Sequence, residues 1–497
     1  MAKTKAVAVK KKKFEINTVY LTGWFKDHYP EIGFLNFKLK SGNPVVEVDP
    51  PQLTELKKHI DALDVEIPLF KQKETILKIW KNLIGIAIVY LKYNDRRESC
   101  HDDEDYGVEK LAHFFEAFSE FESLFYGADK YYRDHVSHMF QVFLLGEFLL
   151  KEKKMWDLIE VGDKKFTPDN EISNEEKEAM WCIISLCHDL GYGMGMIPKI
   201  NAKTRTMLEN FGSVNIQDIS YSFPNQPLYD FIIQFISSDL KISGEPKEEI
   251  LNIDGEDRTV ETEDNRYVNH IQSKYFLKFS GSFERYGHGI ISCILLMRNL
   301  VYFLESDYSI DKNKAYDQKD AKHFLIRQNI LRSIASHDCD EIYYLNIAQF
   351  PFLLTIFDEM QDWDRPGLTD LFKEKPEFNL IVHELSESKV NFEIEISKKD
   401  KVKISAKERA TLEFDIISYF ERKCKKIRKI LRSAVGGDSR NIWLKFSVTV
   451  RYESDIHEFK IIHVNPEDVT ICYENEKHTW AEFLNYKNDK EKALKSQ

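Results

Sequence analysis

The stretch SLCHDLGYG, residues 185–193, places His188 and Asp189 next to each other at the end of an apolar helical pattern. His188 follows Trp181 by seven residues and Ile184 by four, so its side chain is predicted to lie on the buried face of that helix. A buried imidazole or carboxylate costs roughly several kcal/mol unless a partner satisfies it. The stretch therefore predicts a helical core that contains a polar site.

Length and composition limit the class of protein. The chain has 497 residues, which predicts two or three domains. Asp and Glu (82) outnumber Lys and Arg (70), so we expect no broad nucleic-acid-binding surface. The seven cysteines include no CxxC pair, which argues against a disulfide framework and a zinc ribbon. No apolar run is long enough to span a membrane, and we expect a cytoplasmic protein without membrane contact.

Hydrophobic periodicity divides the chain into four parts. Residues 1–14 contain six lysines and are expected to form a disordered basic tail. Residues 15–107 are predicted as an N-terminal arm with a hairpin, followed by helices. Residues 108–375 show helical periodicity, interrupted by a polar insertion at about 195–285. Apolar residues alternate with polar ones in the last part, which predicts a separate α+β accessory domain at 380–497. The expected fold class is mainly α.

The histidine–aspartate pair is one of several ionisable groups on predicted buried helix faces. Five helices place an imidazole or a carboxylate there, at His138, His188 with Asp189, His288, His337 and Asp358. Taken singly, each is explained as a hydrogen-bonded core residue. Together they favour a shared divalent cation, because neutral imidazoles and ionised carboxylates are ligands that Mn, Fe, Co, Zn or Mg ions accept. One or two ions would satisfy the set.

The order of these residues carries a family resemblance. His138, the His188–Asp189 pair and Asp358 resemble the H…HD…D signature of the HD-domain phosphohydrolase superfamily, over roughly residues 108–370. The resemblance implies an all-helical fold in which metal-bound water or hydroxide attacks a phosphorus centre. It also implies that these four residues bind a first metal, with Asp189 as the bridge to a second.

Two further histidines lie between the pair and the last aspartate of the signature. His288 and His337 resemble the extra histidines by which some members of the superfamily hold a second metal. They would either complete that metal site or contact the phosphate as cations. Asp189, His288 and His337 are therefore the candidate catalytic residues.

Four residues close in sequence to the predicted ligands are candidates for substrate binding: Arg133, Tyr192, Lys199 and Arg365. An arginine can hold two phosphate oxygens with its planar fork of N–H donors. The alternative for the two arginines is a salt bridge with Asp134 or Asp364. The glycines at positions 191, 193 and 195 are expected to end the helix and to leave room for a ligand beside the backbone.

The resemblance implies a nucleotide substrate, and the residues after the pair bear on which one. Deoxynucleoside triphosphate triphosphohydrolases continue with Gly-His-Gly-Pro-Phe-Ser-His, whereas this chain has GYGMGMIPK, with Tyr192 and Ile197 in place of histidines. Cyclic-dinucleotide phosphodiesterases of the GYP branch share the ligand order, but no GYP follows His337. We expect a deoxynucleoside triphosphate phosphohydrolase; the alternative is a cyclic nucleotide or cyclic dinucleotide phosphodiesterase.

The insertion and the C-terminal domain offer surface for regulation. We therefore expect a homo-oligomer with a nucleotide activator, and nucleotide depletion during phage infection as a candidate role. Two other classes stay open. One is a nucleotide-sensing HD module that does not hydrolyse its ligand. The other is a nucleic-acid-binding protein that uses the lysine tail and the basic helix predicted over 406–434, although we expect that helix to be a solvated face or a dimer contact.

Overall fold

The computed structural model is mainly helical, with a smaller α+β part at the C-terminal end, as the sequence predicts. The predicted basic tail lies outside the described residues. Within the described ranges, no helix combines the length and the apolar character that a membrane crossing requires. The structure describes residues 15–41, 46–95, 106–129, 132–162, 172–212, 217–222, 225–242, 247–253, 256–262, 267–304, 315–316, 318–339, 341–342, 347–363, 365, 377–386, 389–398, 406–433, 443–452, 455–465, 468–473 and 476–495.

The helical core is built around one buried helix. The helices of the described ranges are α1 (Thr18–His28), α2 (Pro51–Ala62), α3 (Lys73–Asp95), α4 (Val108–Ala128), α5 (Val136–Glu152), α6 (Asn174–Cys187), α7 (Tyr192–Leu208), α8 (Gln226–Ser237), α9 (Ser273–Glu284), α10 (His288–Asn299), α11 (Val301–Leu304), α12 (Gln318–His337), α13 (Phe350–Met360), α14 (Ala406–Ser433) and α15 (Trp480–Lys495). Residues 136–150 of α5 are all buried, as expected of a helix that is surrounded by others. It packs against α1, α3, α6 and α13, while α12 lies against α6, α10 and α13. The helices that carry the predicted ligands therefore meet in one bundle.

Helix α6 carries the histidine–aspartate pair into the core. A capping box between Ser173 and Glu176 satisfies N–H groups at its first turn. The helix ends at Cys187, and a turn follows, which confirms the predicted helix end. Helix α7 begins already at Tyr192, so Gly193 and Gly195, which were expected to help end the helix, lie inside the next helix instead.

The N-terminal segment is more regular than the predicted arm. The expected hairpin is present as the antiparallel strands β1 (Leu39–Ser41) and β2 (Val46–Val48). Helix α1 was not predicted, because its β-branched and aromatic residues favour a strand in isolation. Its N-cap Asn17 accepts a hydrogen bond from the Tyr20 N–H at 3.0 Å. Phe25 packs edge-to-face on Phe140 of α5, and this tertiary contact favours the helix.

Five short strands occur in and after the predicted insertion. They are β3 (Ser238–Ile242), β4 (Lys247–Ile253), β5 (Glu256–Thr262), β6 (Tyr267–Ile271) and β7 (Ala315–Tyr316). The order β3-β6-β7 forms one sheet, and β4 pairs with β5 as a separate hairpin. Helices α8 and α9 flank these strands. The part of the chain where the helical pattern is interrupted therefore contains both helices and strands.

The C-terminal part is a six-stranded sheet with two helices. Its strands are β8 (Glu377–Leu385), β9 (Lys389–Lys398), β10 (Trp443–Tyr452), β11 (Asp455–Asn465), β12 (Asp468–Tyr473) and β13 (Glu476–His478), in the order β13-β12-β11-β10-β9-β8. Strands β9 and β10 are parallel, and α14 is the crossover that joins them. The alternating pattern predicted for this part of the chain includes strands β9, β10 and β11, and the basic helix predicted over 406–434 is α14. Ile16 pairs with Leu380 of β8 through two backbone hydrogen bonds of 2.8 and 2.9 Å.

Candidate metal centre

The residues of the H…HD…D pattern lie at one point of the bundle. His138 Nε2 is 2.9 Å from Asp358 Oδ1 and 3.8 Å from Asp189 Oδ2. His188 Nε2 is 3.4 Å from the same oxygen of Asp189. One ligand atom from each of His138, His188 and Asp358 lies within 4.8 Å of the others. This separation suits groups that share one ion.

Asp189 connects this group to the other two histidines. Its Oδ1 atom is 3.2 Å from His288 Nε2 and 3.5 Å from His337 Nε2. His188, Asp189 and His337 form a second group whose ligand atoms lie within 4.8 Å of one another. One carboxylate oxygen of Asp189 therefore faces His138 and His188, and the other faces His288 and His337.

Acceptors on Nδ1 direct two of the imidazoles toward the centre. His188 Nδ1 donates to the carbonyl oxygen of Ser185 at 2.8 Å, and His337 Nδ1 donates to that of Ile334 at 2.6 Å. A carbonyl oxygen only accepts, so both Nδ1 atoms carry a proton, and in the neutral form of each ring the lone pair is on Nε2. Imidazole ligands of metal ions are typically oriented in this way.

Side chains orient the other two imidazoles. His138 Nδ1 donates to Gln361 Oε1, and Gln361 Nε2 donates to the Trp363 carbonyl oxygen at 2.7 Å. The second bond fixes the amide so that its oxygen faces the histidine. His288 Nδ1 lies 3.1 Å from Asp338 Oδ2. All four Nε2 atoms therefore point at the same small volume.

The residues at this point fit a divalent cation. His188 Nε2 is buried and has no hydrogen-bond partner among the described residues. His288 Nε2 and His337 Nε2 are 3.0 Å apart, so their lone pairs repel unless a proton or a cation lies between them. Imidazole nitrogens and carboxylate oxygens form a donor set that Mn, Fe, Co and Zn ions accept.

The pKa shifts of His138, Asp189 and Asp358 favour the forms that bind a cation. Burial lowers the pKa of His138 to about 4, so its imidazole is neutral at physiological pH. Burial opposes ionisation of Asp189, but the imidazoles around it, led by His188, hold its pKa well below the ordinary value. The pKa of Asp358 is held low against burial by His138. Both carboxylates are therefore anions in the folded protein.

Helix α10 fixes the turn that carries the pair. The Ser292 hydroxyl donates to the carbonyl oxygen of His188 and accepts from the Gly191 N–H, both at 2.8 Å. A Cβ atom at Gly191 would lie 2.3 Å from the carbonyl oxygen of His288. The expectation that this glycine leaves room for a ligand is wrong, because α10 occupies the space.

Arg133, one of the two arginines predicted to bind substrate, pairs with an aspartate other than those expected from the sequence. Arg133 forms an ion pair with Asp362, not with Asp134. Arg365 donates through Nε to the backbone carbonyl oxygen of Asp134 at 3.3 Å. Asp364 lies outside the described residues. Arg365 contributes to the lowered pKa of His138, after burial, so its charge lies near the ligands.

Tyr192 and Lys199, the other two candidates, lie on α7 in different surroundings. The Tyr192 ring stacks on His135 with a centroid distance of 3.9 Å and lies 5.3 Å from the ring of His288. It therefore contacts the histidine cluster. Lys199 is half-exposed and pairs with Asp129 at 2.5 Å.

His135 is a residue of this region that the sequence prediction missed. It is buried, and its ring centroid lies 6.4 Å from that of His138. Burial lowers its pKa well below the ordinary value, so it is neutral. The sequence feature that could have indicated His135 is its position three residues before His138, since this spacing places two side chains on one helical face.

No known protein family, curated protein or solved structure matches this chain. The resemblance to HD-domain phosphohydrolases is therefore carried by the residues themselves. Their arrangement in the structure, with His138, His188, Asp189 and His337 in two groups that suit a metal ion, is compatible with a site of that type.

Proposed function

We propose that this protein hydrolyses a phosphate ester or anhydride bond of a nucleotide, using a divalent metal and an activated water molecule. The observation that carries the proposal is the convergence of four imidazole Nε2 atoms on the carboxylate of Asp189, with an acceptor on every Nδ1. Such a buried set lowers the free energy of unfolding unless a cation satisfies it.

In this proposal the ligands divide into two groups. The first ion is held by His138, His188, Asp189 and Asp358. His288 and His337 either hold a second ion with Asp189 or contact the phosphate as cations. The bound ion, one of Mn, Fe, Co, Zn or Mg, would supply a Lewis acid and lower the pKa of a water molecule.

The exposure of the ligands indicates where a substrate enters. The side chains of His138 and His188 are fully buried, whereas those of His288 and Asp358 are 23% and 18% exposed. The phosphate therefore approaches along the edge between these two exposed ligands. If His288 is not a metal ligand, Asp338 stabilises its imidazolium, and Nε2–H can donate a proton to the leaving oxygen.

Among nucleotides we propose deoxynucleoside triphosphates, with cyclic nucleotides as the second class. Arg365 lies near the ligands and offers a planar set of donors to phosphate oxygens. Tyr192 presents an aromatic ring beside the cluster, against which a base or a sugar can pack.

The test is a substrate panel resolved by product. Purified protein is incubated with Mn or Co and with nucleoside triphosphates, monophosphates and cyclic nucleotides, and the products are separated by chromatography. We expect turnover of one nucleotide class, and loss of that turnover after chelation and its return on adding metal. A protein that retains no transition metal and turns over no member of the panel contradicts the proposal.

A further inference from the structure

The contact between α13 and α14 contains charged groups that the proposed reaction does not use. Asp362, just after α13, accepts hydrogen bonds from Arg133 and from the Tyr419 hydroxyl, the latter at 2.5 Å. Lys423 Nζ lies 3.2 Å from Asp362 Oδ2 and donates to the carbonyl oxygen of Glu359 at 2.6 Å. Lys423 is buried here, so the expectation of a solvated or dimer-forming face of α14 is wrong at this position.

Lys426, one turn further along α14, reaches the neighbour of a predicted metal ligand. Its Nζ lies 2.6 Å from Glu359 Oε1, and Glu359 directly follows Asp358 in α13. The side chain of Lys426 is 66% exposed. Lys426 therefore places an exposed positive charge beside the residue that follows the candidate ligand Asp358.

The described residues at this contact carry an excess of positive charge once Asp358 binds a metal. Two carboxylates, Glu359 and Asp362, then face four cations, namely Arg133, Arg365, Lys423 and Lys426. Burial and the nearby charge of Arg133 lower the pKa of Arg365, which indicates that the cations repel one another. A surface with two uncompensated positive charges beside a divalent ion attracts a polyanion.

We infer that Lys426 binds the phosphate chain of the substrate, so that α14 of the C-terminal part completes the substrate site. The inference rests on the proposed function and narrows it to nucleotides with two or more linked phosphates. Such a chain extends from the metal centre to Lys426 and to Arg133, whose side chain is 39% exposed. Lys423, which is buried, is a positioning residue that holds α14 against α13.

Two substitutions at Lys426 and one matched control test this inference. Lys426→Ala removes the charge, and Lys426→Arg keeps it. Lys425→Ala removes the same charge one residue away, where the lysine is 62% exposed and pairs with Glu421 at 2.7 Å. The probes are a nucleoside triphosphate, inorganic tripolyphosphate and bis(4-nitrophenyl) phosphate, which has no phosphate chain.

We expect Lys426→Ala to raise KM for the triphosphate and Kd for tripolyphosphate by about tenfold or more, equivalent to about 1.4 kcal/mol. The kcat/KM for bis(4-nitrophenyl) phosphate should fall much less than that for the triphosphate, because this substrate has no phosphate chain to reach Lys426. Lys425→Ala should match the wild type, and Lys426→Arg should keep most of the affinity. A solely structural role would instead reduce both hydrolytic activities together, and that result overturns the inference.

Calorimetric titration of metal-loaded protein with tripolyphosphate separates this inference from the proposed function, since it needs no turnover. Absent binding, or equal Kd values in the wild type and Lys426→Ala, overturns the inference even if nucleotides are hydrolysed. Binding that depends on Lys426 in a protein that hydrolyses none of the nucleotides supports the polyphosphate site and overturns the proposed reaction.

Discussion

His288 Nε2 lies 3.0 Å from His337 Nε2, and Asp189 Oδ1 lies within 3.5 Å of both. Two ring nitrogens at this distance share a proton or a cation. The first alternative makes them phosphate contacts, and the second makes them ligands of a second ion. The two alternatives differ in the number of ions that each chain holds.

The metal content of a His337 variant distinguishes these alternatives. We expect His337→Ala to lower the metal content from two ions per chain to one, because the group formed by His138, His188 and Asp358 stays intact. Mass-spectrometric metal analysis of dialysed protein measures the ratio. A ratio of one in both the wild type and the variant would show that His337 is not a metal ligand.

Substitution of the histidine–aspartate pair tests the whole site. His188→Ala and Asp189→Ala should each abolish activity and lower metal content, with the far-ultraviolet circular dichroism nearly unchanged, because α6 is already complete at Cys187. His113→Ala, at a 78% exposed position of α4, is the matched control. Retained turnover in both variants of the pair would rule out the site.

Substitution of Gln361 tests how the His138 imidazole is oriented, and it removes no candidate metal ligand. Gln361→Leu keeps the volume but removes the acceptor on His138 Nδ1, so we expect metal affinity to fall by about 10- to 100-fold. Metal titration with a competing chelator measures this change. Gln226→Leu, at an exposed position of α8, controls for the loss of an amide. Unchanged affinity in Gln361→Leu would mean that the hydrogen bond does not orient the ring.

Helix α10 packs closely against the turn that carries the pair. We therefore expect substitutions at two nearby glycines to differ in their effect on stability. Gly191→Ala places a Cβ 2.3 Å from the carbonyl oxygen of His288, so we expect a destabilisation of about 1–3 kcal/mol and weaker metal binding. Gly195→Ala meets nothing within 4 Å among the described residues and should be neutral or slightly stabilising. Thermal unfolding with and without metal measures both. Equal stability of the two variants would contradict the packing.

Glu178 lies away from the candidate metal centre, and its buried carboxyl group should make the stability of the protein depend on pH. Burial raises its pKa from 4.5 to about 7, and its carboxyl group accepts from the Gly33 N–H. Folding thus favours the protonated form, so its stabilising contribution is complete below pH 4.5 and is lost as the pH rises through about 7. Glu178→Gln stays neutral, and the wild type should lose about 1–3 kcal/mol relative to it over this range.

Urea unfolding at several pH values measures the free energy of unfolding of both proteins. Glu120→Gln, at an exposed position of α4, is the control and should follow the wild type. A constant difference between the wild type and Glu178→Gln from pH 4.5 to 7 would show that Glu178 ionises normally.

The candidate ligands and much of the fold could be predicted because they depend on local periodicity. His138, His188, His337 and Asp358 each continue an apolar series at three- and four-residue steps, and that series alone predicts which way the side chain points. The same holds for strands β9, β10 and β11, where alternation over eight or more residues is explicit in the sequence. Their meeting at one point follows from the cost of burying polar groups singly.

The partners of these ligands could not be predicted, since they come from distant parts of the chain. Gln361 lies 223 positions after His138, and Tyr419 lies 57 after Asp362. The periodicity of the sequence does not indicate which side chain accepts a hydrogen bond from an imidazole Nδ1, or which side chain of α14 contacts α13. Helix α7 was missed for a different reason, because glycines lower helix propensity and packing against α4 and α10 overrides it.

The pairing of Ile16 with Leu380 has a consequence for biosynthesis. Strand β8 is the outer strand of its sheet, and the two backbone bonds from Ile16, together with the bond from Asn17 to Asn379 at 3.1 Å, cover part of that edge. During translation Ile16 and Asn17 cannot form these bonds until Asn379 and Leu380, more than 360 residues later, have left the ribosome. Until then the Ile16 side chain, which is buried in the folded protein, lacks its partner in β8, so this contact is among the most distant in sequence that the fold has to form.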